Sequence, residues 1–179
     1  ITKVMTLCLT FDAIDSGQLS LTDTLTASAH ASSMGGSDIW LKEGEAMTVD
    51  DLLKATVIMS ANDAAVVLAE NVGGSEEAFV QRMNQKAQEL GMNDTVFKNC
   101  NGLDEEGHVT SAHDVALMSR ELLTHPKIFD YTLTWIDYVR DGQTQLVNTN
   151  KLIRTYNGIT GLKTGTTSQA VSYTHLTLP

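Results

Sequence analysis

From residue 64 to residue 69 the chain reads Ala-Ala-Val-Val-Leu-Ala, with no polar face at any helical phase. A helix of that composition lies inside a core, so the rest of the chain must be arranged around it. Just before it stands Met59-Ser60-Ala61-Asn62-Asp63, preceded in turn by Leu52, Leu53, Val57 and Ile58, a second buried helical pattern. Asn62 or Asp63 is predicted to cap the helix at 64–69 by accepting a first-turn N–H, which leaves Ser60 and Asn62 on a short loop. Polar groups thus reach the middle of the fold. Taken alone the triplet is a helix cap and nothing more, because Ser-x-Asn strings are common.

At 179 residues and 42% hydrophobic content the chain can bury a core as one domain or two small lobes. A net charge of −10 argues against a nucleic-acid partner, which needs a basic face to neutralise phosphates. Two cysteines, Cys8 in an apolar helical pattern and Cys100 in an Asn-rich turn, are too few for a disulfide framework. His30, His108, His113, His125 and His175 show no metal-ligand spacing, so no metal site is expected. The Glu105, Glu106, His108, His113 neighbourhood is explained by a solvated loop and a capped helix. No apolar run is long enough to span a membrane.

A first helix is expected through Ile14, with Lys3 near its start, because Val4, Leu7, Cys8 and Phe11 share one face. Residues 32–37 are expected in an exposed loop and Ile39 to Leu41 in a short strand. Thr48 with Asp50 and Asp51 marks a helix start. Gly73-Gly74 ends the central helix, and Ser75-Glu76-Glu77 opens another with the stripe Phe79, Met83, Ala87 and Leu90, closed by Gly91. Thr95 to Phe97 is a predicted strand. Ser111-x-x-Asp114 resembles a capping box for a helix through Val115, Met118 and Leu122. Asp141-Gly142 is a hairpin turn. Gly158 to Thr166 reads as a strand whose glycines admit a ligand backbone.

Lys3, then Ser60-Ala61-Asn62, then Lys163-Thr164-Gly165 is the motif order of penicillin-binding proteins and serine β-lactamases. With Thr2-Lys3-Val4-Met5-Thr6, Leu52-Leu53, Asp63-Ala64-Ala65, Phe79-Val80, Met83-Asn84, Leu90-Gly91-Met92, Asn101-Gly102-Leu103 and Asn148-Thr149-Asn150, the stretch from Ile1 to about Gln169 resembles the low-molecular-weight penicillin-binding proteins. These are the serine-type D-alanyl-D-alanine carboxypeptidases of peptidase family S11.

The resemblance implies an α/β (α+β) β-lactamase/DD-peptidase-like fold, of which this chain holds mostly the helical lobe and the first strand of the later sheet half. Residues 1–170 are then part of a catalytic domain. The strands before it, the strands after it and the nucleophilic Ser, expected immediately before Ile1, would lie outside the chain. Residues 171–179 read as a non-native, adapter-derived tail.

It also implies roles. Lys3 would be the acylating base, its pKa lowered by burial and by Lys163. Ser60 would relay a proton to the leaving amine, and Asn62 would hold the substrate amide. Lys163 and Thr164 would bind the substrate carboxylate, and Gly165 would admit the peptide by strand addition. The N–H of Thr166 would share the oxyanion hole with that of the missing Ser. Implied partners are the D-Ala-D-Ala end of peptidoglycan stem peptides and β-lactams, with no cofactor. The implied place is extracytoplasmic, in the bacterial envelope, with a signal peptide on the parent and membrane association left open.

As it stands the chain is expected to be inactive for want of the Ser, and marginally stable for want of the sheet that would cover the central helix. Two rivals are a β-lactamase, disfavoured because no Glu-x-x-Leu-Asn string lies between Ser60 and Lys163, and a non-catalytic wall-binding or regulatory protein that has lost the nucleophile.

Overall fold

The computed structural model describes residues 1–167. The expected non-native tail, 171–179, lies outside them.

Helix α1, Thr2–Asp15, is buried on nearly every residue. A short strand β1, Thr24–Thr26, pairs antiparallel with β2, Ala46–Thr48, in a register that sets Leu25 opposite Met47. Between them is a one-turn helix α2, Ala29–Ser32, capped by Ser28. The strand expected at Ile39 to Leu41 does not form. The N–H groups of Ile39 and Leu41 go to the Asp63 carboxylate instead of to a ladder, and Trp40 between them sits at φ 56°, 75% exposed.

Thr48 caps α3, Val49–Lys54, by accepting the N–H of Asp51, and the two acids of the first turn face the positive end of the helix dipole. The helix then widens into a π turn, Ala55–Met59, where Ser60 N–H and Ala61 N–H both reach back to the Ala55 carbonyl. Ser60 ends it in the left-handed region at φ 62°.

Helix α4, Asn62–Gly73, is the predicted central helix, with Ala64, Ala65, Val66, Leu68 and Ala69 all at zero exposure. Its N-cap is Ala61, not Asn62 or Asp63. Both polar residues lie within the first turn, so Asn62 is not on the loop, while Asp63 Oδ1 accepts the first-turn N–H of Ala64 at 2.8 Å, the bond expected of a capping side chain. Helices α1, α3 and α5, with α2 and β1, surround it. These elements, and not the sheet expected to cover it, bury α4 in this structure.

Gly74, at φ 86°, ends α4, and Ser75 caps α5, Glu76–Glu89, whose Phe79, Met83 and Ala87 are buried while Leu90 follows as its C-cap. The two helices approach so closely at Gly73 that a Cβ there would stand 2.7 Å from Phe79 Cβ. The strand expected at Thr95 to Phe97 shrinks to one bridge, Val96 to Val109. Ser111 caps α6, Ala112–Leu122, through Asp114 N–H, but the box is one-sided. The Asp114 carboxylate accepts from Asp94 N–H and Thr95 Oγ1 instead.

A short helix α7, Ile128–Thr132, precedes the hairpin of β3, Ile136–Val139, and β4, Thr144–Val147. Asp141 and Gly142 both carry positive φ, as the predicted tight turn requires. A 3-10 turn, Lys151–Arg154, follows. The strand expected over Gly158 to Thr166 is absent at 159–164. Gly161, at φ 76°, packs against the Thr132 backbone, and that left-handed kink breaks an extended run. Cys8 and Cys100 are buried free thiols, both pushed up by desolvation.

Candidate active site

The first turn of α1, the left-handed Ser60, the start of α4 and the segment 163–166 converge on one cleft of about 1170 Å³. Every predicted site residue lines it: Lys3, Ser60, Asn62, Lys163, Thr164, Gly165 and Thr166. Residues from the two ends of the described chain are thus neighbours in space.

Lys3 is 6% exposed. Its Nζ donates to Asn62 Oδ1 at 2.5 Å and to the Asn101 carbonyl at 2.7 Å. Burial lowers its pKa to about 8, against the opposing pull of the Asp38 and Asp63 carboxylates. The contribution expected from Lys163 runs the other way. Lys163, 4% exposed, has among the described residues one hydrogen bond, to the Thr164 carbonyl at 2.8 Å, and burial followed by repulsion from Lys3 lowers it to about 7.

Asn62 is bonded at both ends, its Nδ2 donating to the Gly35 carbonyl at 2.7 Å. Since an ammonium only donates and a carbonyl only accepts, these two partners fix which end of the carboxamide is which. One Nδ2 hydrogen remains for a group in the cleft. The Ser60 side chain makes no hydrogen bond among the described residues and is half-buried, held in a backbone region that non-glycine residues seldom adopt. Thr164 Oγ1 lies 2.6 Å from Thr149 Oγ1, and Thr166 is exposed.

Several supporting groups were not legible beforehand. The Asn101 carbonyl has no side-chain signature. Asp63, expected at most to cap α4, accepts from Leu41 N–H at 2.9 Å and from Ile39 N–H, and its own N–H goes to Asp38. The loop expected to be merely exposed is thereby tied to the cleft wall, where Gly36 and Ser37 lie. His108 Nδ1 accepts Lys98 N–H, so its proton is on Nε2, which donates to Thr2 Oγ1 at 2.7 Å. With Thr6 Oγ1 bonded to the Cys100 carbonyl, one face of α1 is stitched along the loop that supplies Asn101.

A family model described as D-alanyl-D-alanine carboxypeptidase (Peptidase_S11) matches residues 1–175. The chain belongs to this family. It is similar to D-alanyl-D-alanine carboxypeptidase DacF of Bacillus subtilis (strain 168), 50% identical over 172 residues, which cover 94% of this chain and 44% of that protein. The chain spans less than half the length of this curated relative. Among solved structures it is similar to penicillin binding protein 6B from Escherichia coli, with a TM-score of 0.86 at 33% identity over 94% of this chain and 55% of that one. It is also similar to Penicillin-Binding Protein D2 from Listeria monocytogenes in its ampicillin-bound form, with a TM-score of 0.83 at 32% identity over 96% of this chain and 70% of that one. The carboxypeptidase family's mixed fold, largely helical in this stretch, is thus the fold of this chain.

Proposed function

We propose that this chain carries the base, the proton relay and the substrate anchors of a serine-type D-alanyl-D-alanine carboxypeptidase that trims the terminal D-alanine from peptidoglycan stem peptides. The observation that carries this reading is the buried Lys3–Asn62 pair in a cleft that also holds Lys163, a second buried cation close enough to feel the charge of Lys3.

With its pKa near 8, Lys3 is neutral in an appreciable fraction of molecules at neutral pH, as a general base must be. It would take the proton of the serine that the family places three residues ahead of it, one helical turn away on the same face. Attack on the penultimate carbonyl then forms the acyl-enzyme, and the proton passes through the Ser60 hydroxyl to the departing D-alanine amine. Water hydrolyses the ester and regenerates the serine. The free Nδ2 hydrogen of Asn62 would hold the substrate amide. Lys163 and Thr164 would bind the terminal carboxylate, whose charge restores the proton that burial takes from Lys163. Gly165, with no Cβ, leaves room for the peptide, and Thr166 N–H would help to hold the oxyanion.

β-Lactams would acylate the same serine, a reading supported by the ampicillin held in the similar Listeria protein. A peptidoglycan substrate would place the site outside the cytoplasm, in the bacterial envelope, a reading supported by the family match. Among the described residues no helix is long and apolar enough to cross a membrane.

The test is to express the protein at the length of its relatives, treat it with fluorescent penicillin and map the label. Label on a serine three residues before Lys3, lost in Lys3→Ala, with release of D-alanine from a D-Ala-D-Ala peptide, is the expected result. A folded protein that takes no label and releases no D-alanine overturns the reading.

A further inference from the structure

Asn62 is held from outside the helix that carries it. Its N–H donates to the Ser37 carbonyl at 2.6 Å and its Nδ2 to the Gly35 carbonyl, so two peptide units of one exposed loop fix both its backbone and its side chain. Between those two carbonyls is Gly36, at φ 88°. A Cβ at Gly36 would stand 2.8 Å from Asn62 Nδ2 and 3.7 Å from Leu103 Cδ2. The first distance is shorter than a carbon and an amide nitrogen tolerate. The carboxamide has no slack to absorb it, because its other end is on Lys3 at 2.5 Å.

The far side of the same loop is locked by the residue next to Asn62. The Asp63 carboxylate takes the N–H groups of Ile39 and Leu41, and Asp63 N–H goes to Asp38. Two consecutive residues of α4 therefore grip one loop, the first by its tip and the second by its base. Loop and carboxamide form one rigid unit.

We propose that Gly36 is a positioning residue of this site: the bare backbone of the loop locked by Asp63 sets the Asn62 carboxamide on Lys3, and any side chain at 36 displaces it. The proposal rests on the carboxypeptidase reading of the cleft and adds to it a residue outside the three motifs. The consequence is specific. If Asn62 Oδ1 moves off Lys3, the ammonium loses an acceptor that favours its charged form, and the base titrates at lower pH. A small displacement of a group that touches the reacting centre is also costly in rate.

The experiment compares Gly36→Ala with Gly44→Ala in the protein at the length of its relatives. Gly44 lies on the same excursion between β1 and β2 with φ 79°, and a Cβ there meets nothing within 4 Å, so it reports backbone strain without the contact. The readouts are the second-order rate of acylation by penicillin across pH 5 to 10 and the melting temperature. Expected for Gly36→Ala is acylation slower by roughly tenfold or more, with the rising limb of the pH profile moved to lower pH. Expected for Gly44→Ala is the wild-type rate and profile with a comparable change in melting temperature. Equal rates in the two variants, or slowing in both that follows melting temperature with no movement of the limb, overturns the proposal while labelling of the wild type leaves the carboxypeptidase reading standing. A wild type that takes no label overturns both.

Discussion

Thr2 Oγ1 and His108 Nε2 stand 2.7 Å apart, joining the first turn of α1 to the loop that also supplies the Asn101 carbonyl for Lys3. The contact depends on a neutral imidazole, because Nδ1 must stay an acceptor for Lys98 N–H. Burial lowers the His108 pKa below 6.5, so the unfolded state binds the proton more readily. This contribution to stability is complete above pH 6.5 and is lost as pH falls toward the folded-state value. His108→Ala should cost about 1 kcal/mol at pH 8, with a smaller cost at pH 5, measured by urea unfolding at the two pH values.

Lys163 is a buried lysine with one carbonyl partner among the described residues, and burial lowers its pKa from 10.5 to about 7. Between those values the unfolded state holds the proton and the folded state does not, so this group makes stability rise with pH over that window. Lys163→Met removes the dependence. The variant should be more stable than wild type at pH 6, and the gap should close as pH rises toward 10. A gap that stays constant across the range rules out the buried lysine as its source.

The low pKa of Lys163 also predicts proton uptake when an anionic ligand binds beside it. Calorimetry of a carboxylate-bearing ligand near pH 8, in two buffers of different ionisation heat, should show net uptake approaching one proton. Lys163→Met should abolish it.

Ser60 holds φ 62°, a conformation that costs a non-glycine residue about 1–2 kcal/mol. Ser60→Gly should raise stability by about 1 kcal/mol while slowing acylation in the full-length protein. A variant that is neither more stable nor slower would count against a strained residue kept for its hydroxyl.

At Gly73 a Cβ would meet Phe79 N at 2.8 Å and Phe79 Cα at 2.9 Å, backbone that cannot swing aside. Gly73→Ala should destabilise by about 1–3 kcal/mol. Gly74→Ala meets no neighbour within 4 Å and suffers only from its φ of 86°. Its cost should be about 1 kcal/mol, with chemical denaturation of both variants giving the comparison.

Local chemistry announced itself in the sequence. Thr48, Ser75 and Ser111 cap the helices they were expected to cap, since each bond closes over three residues. The apolar run 64–69 is as buried as its composition requires. The positive φ values of Asp141 and Gly142 follow from their residue types. The cleft itself was legible as three motifs far apart in sequence, whose residues line one wall or another of it.

What stayed hidden depends on distance along the chain. Strands β1 and β2 are three residues each, too short to show alternation, and exist because each supplies the other's ladder. Asp63 was legible only as far as its local bond to Ala64 N–H, whereas its other carboxylate partners, Ile39 and Leu41, are more than 20 residues earlier in sequence. Gly161 looked like part of a strand because its left-handed φ is set by Thr132, an element no periodicity connects to it.

The π turn at Ala55–Met59 gives this site a sensitivity to length rather than to chemistry. An α-helix advances by about 100° per residue, so removing one residue from this turn and restoring regular winding would swing Ser60 by that angle about the axis, away from the cleft. No substitution within the segment does the same. Insertions and deletions at 55–59 are therefore the changes this half of the site tolerates least, although none of these five residues bears a group that reacts.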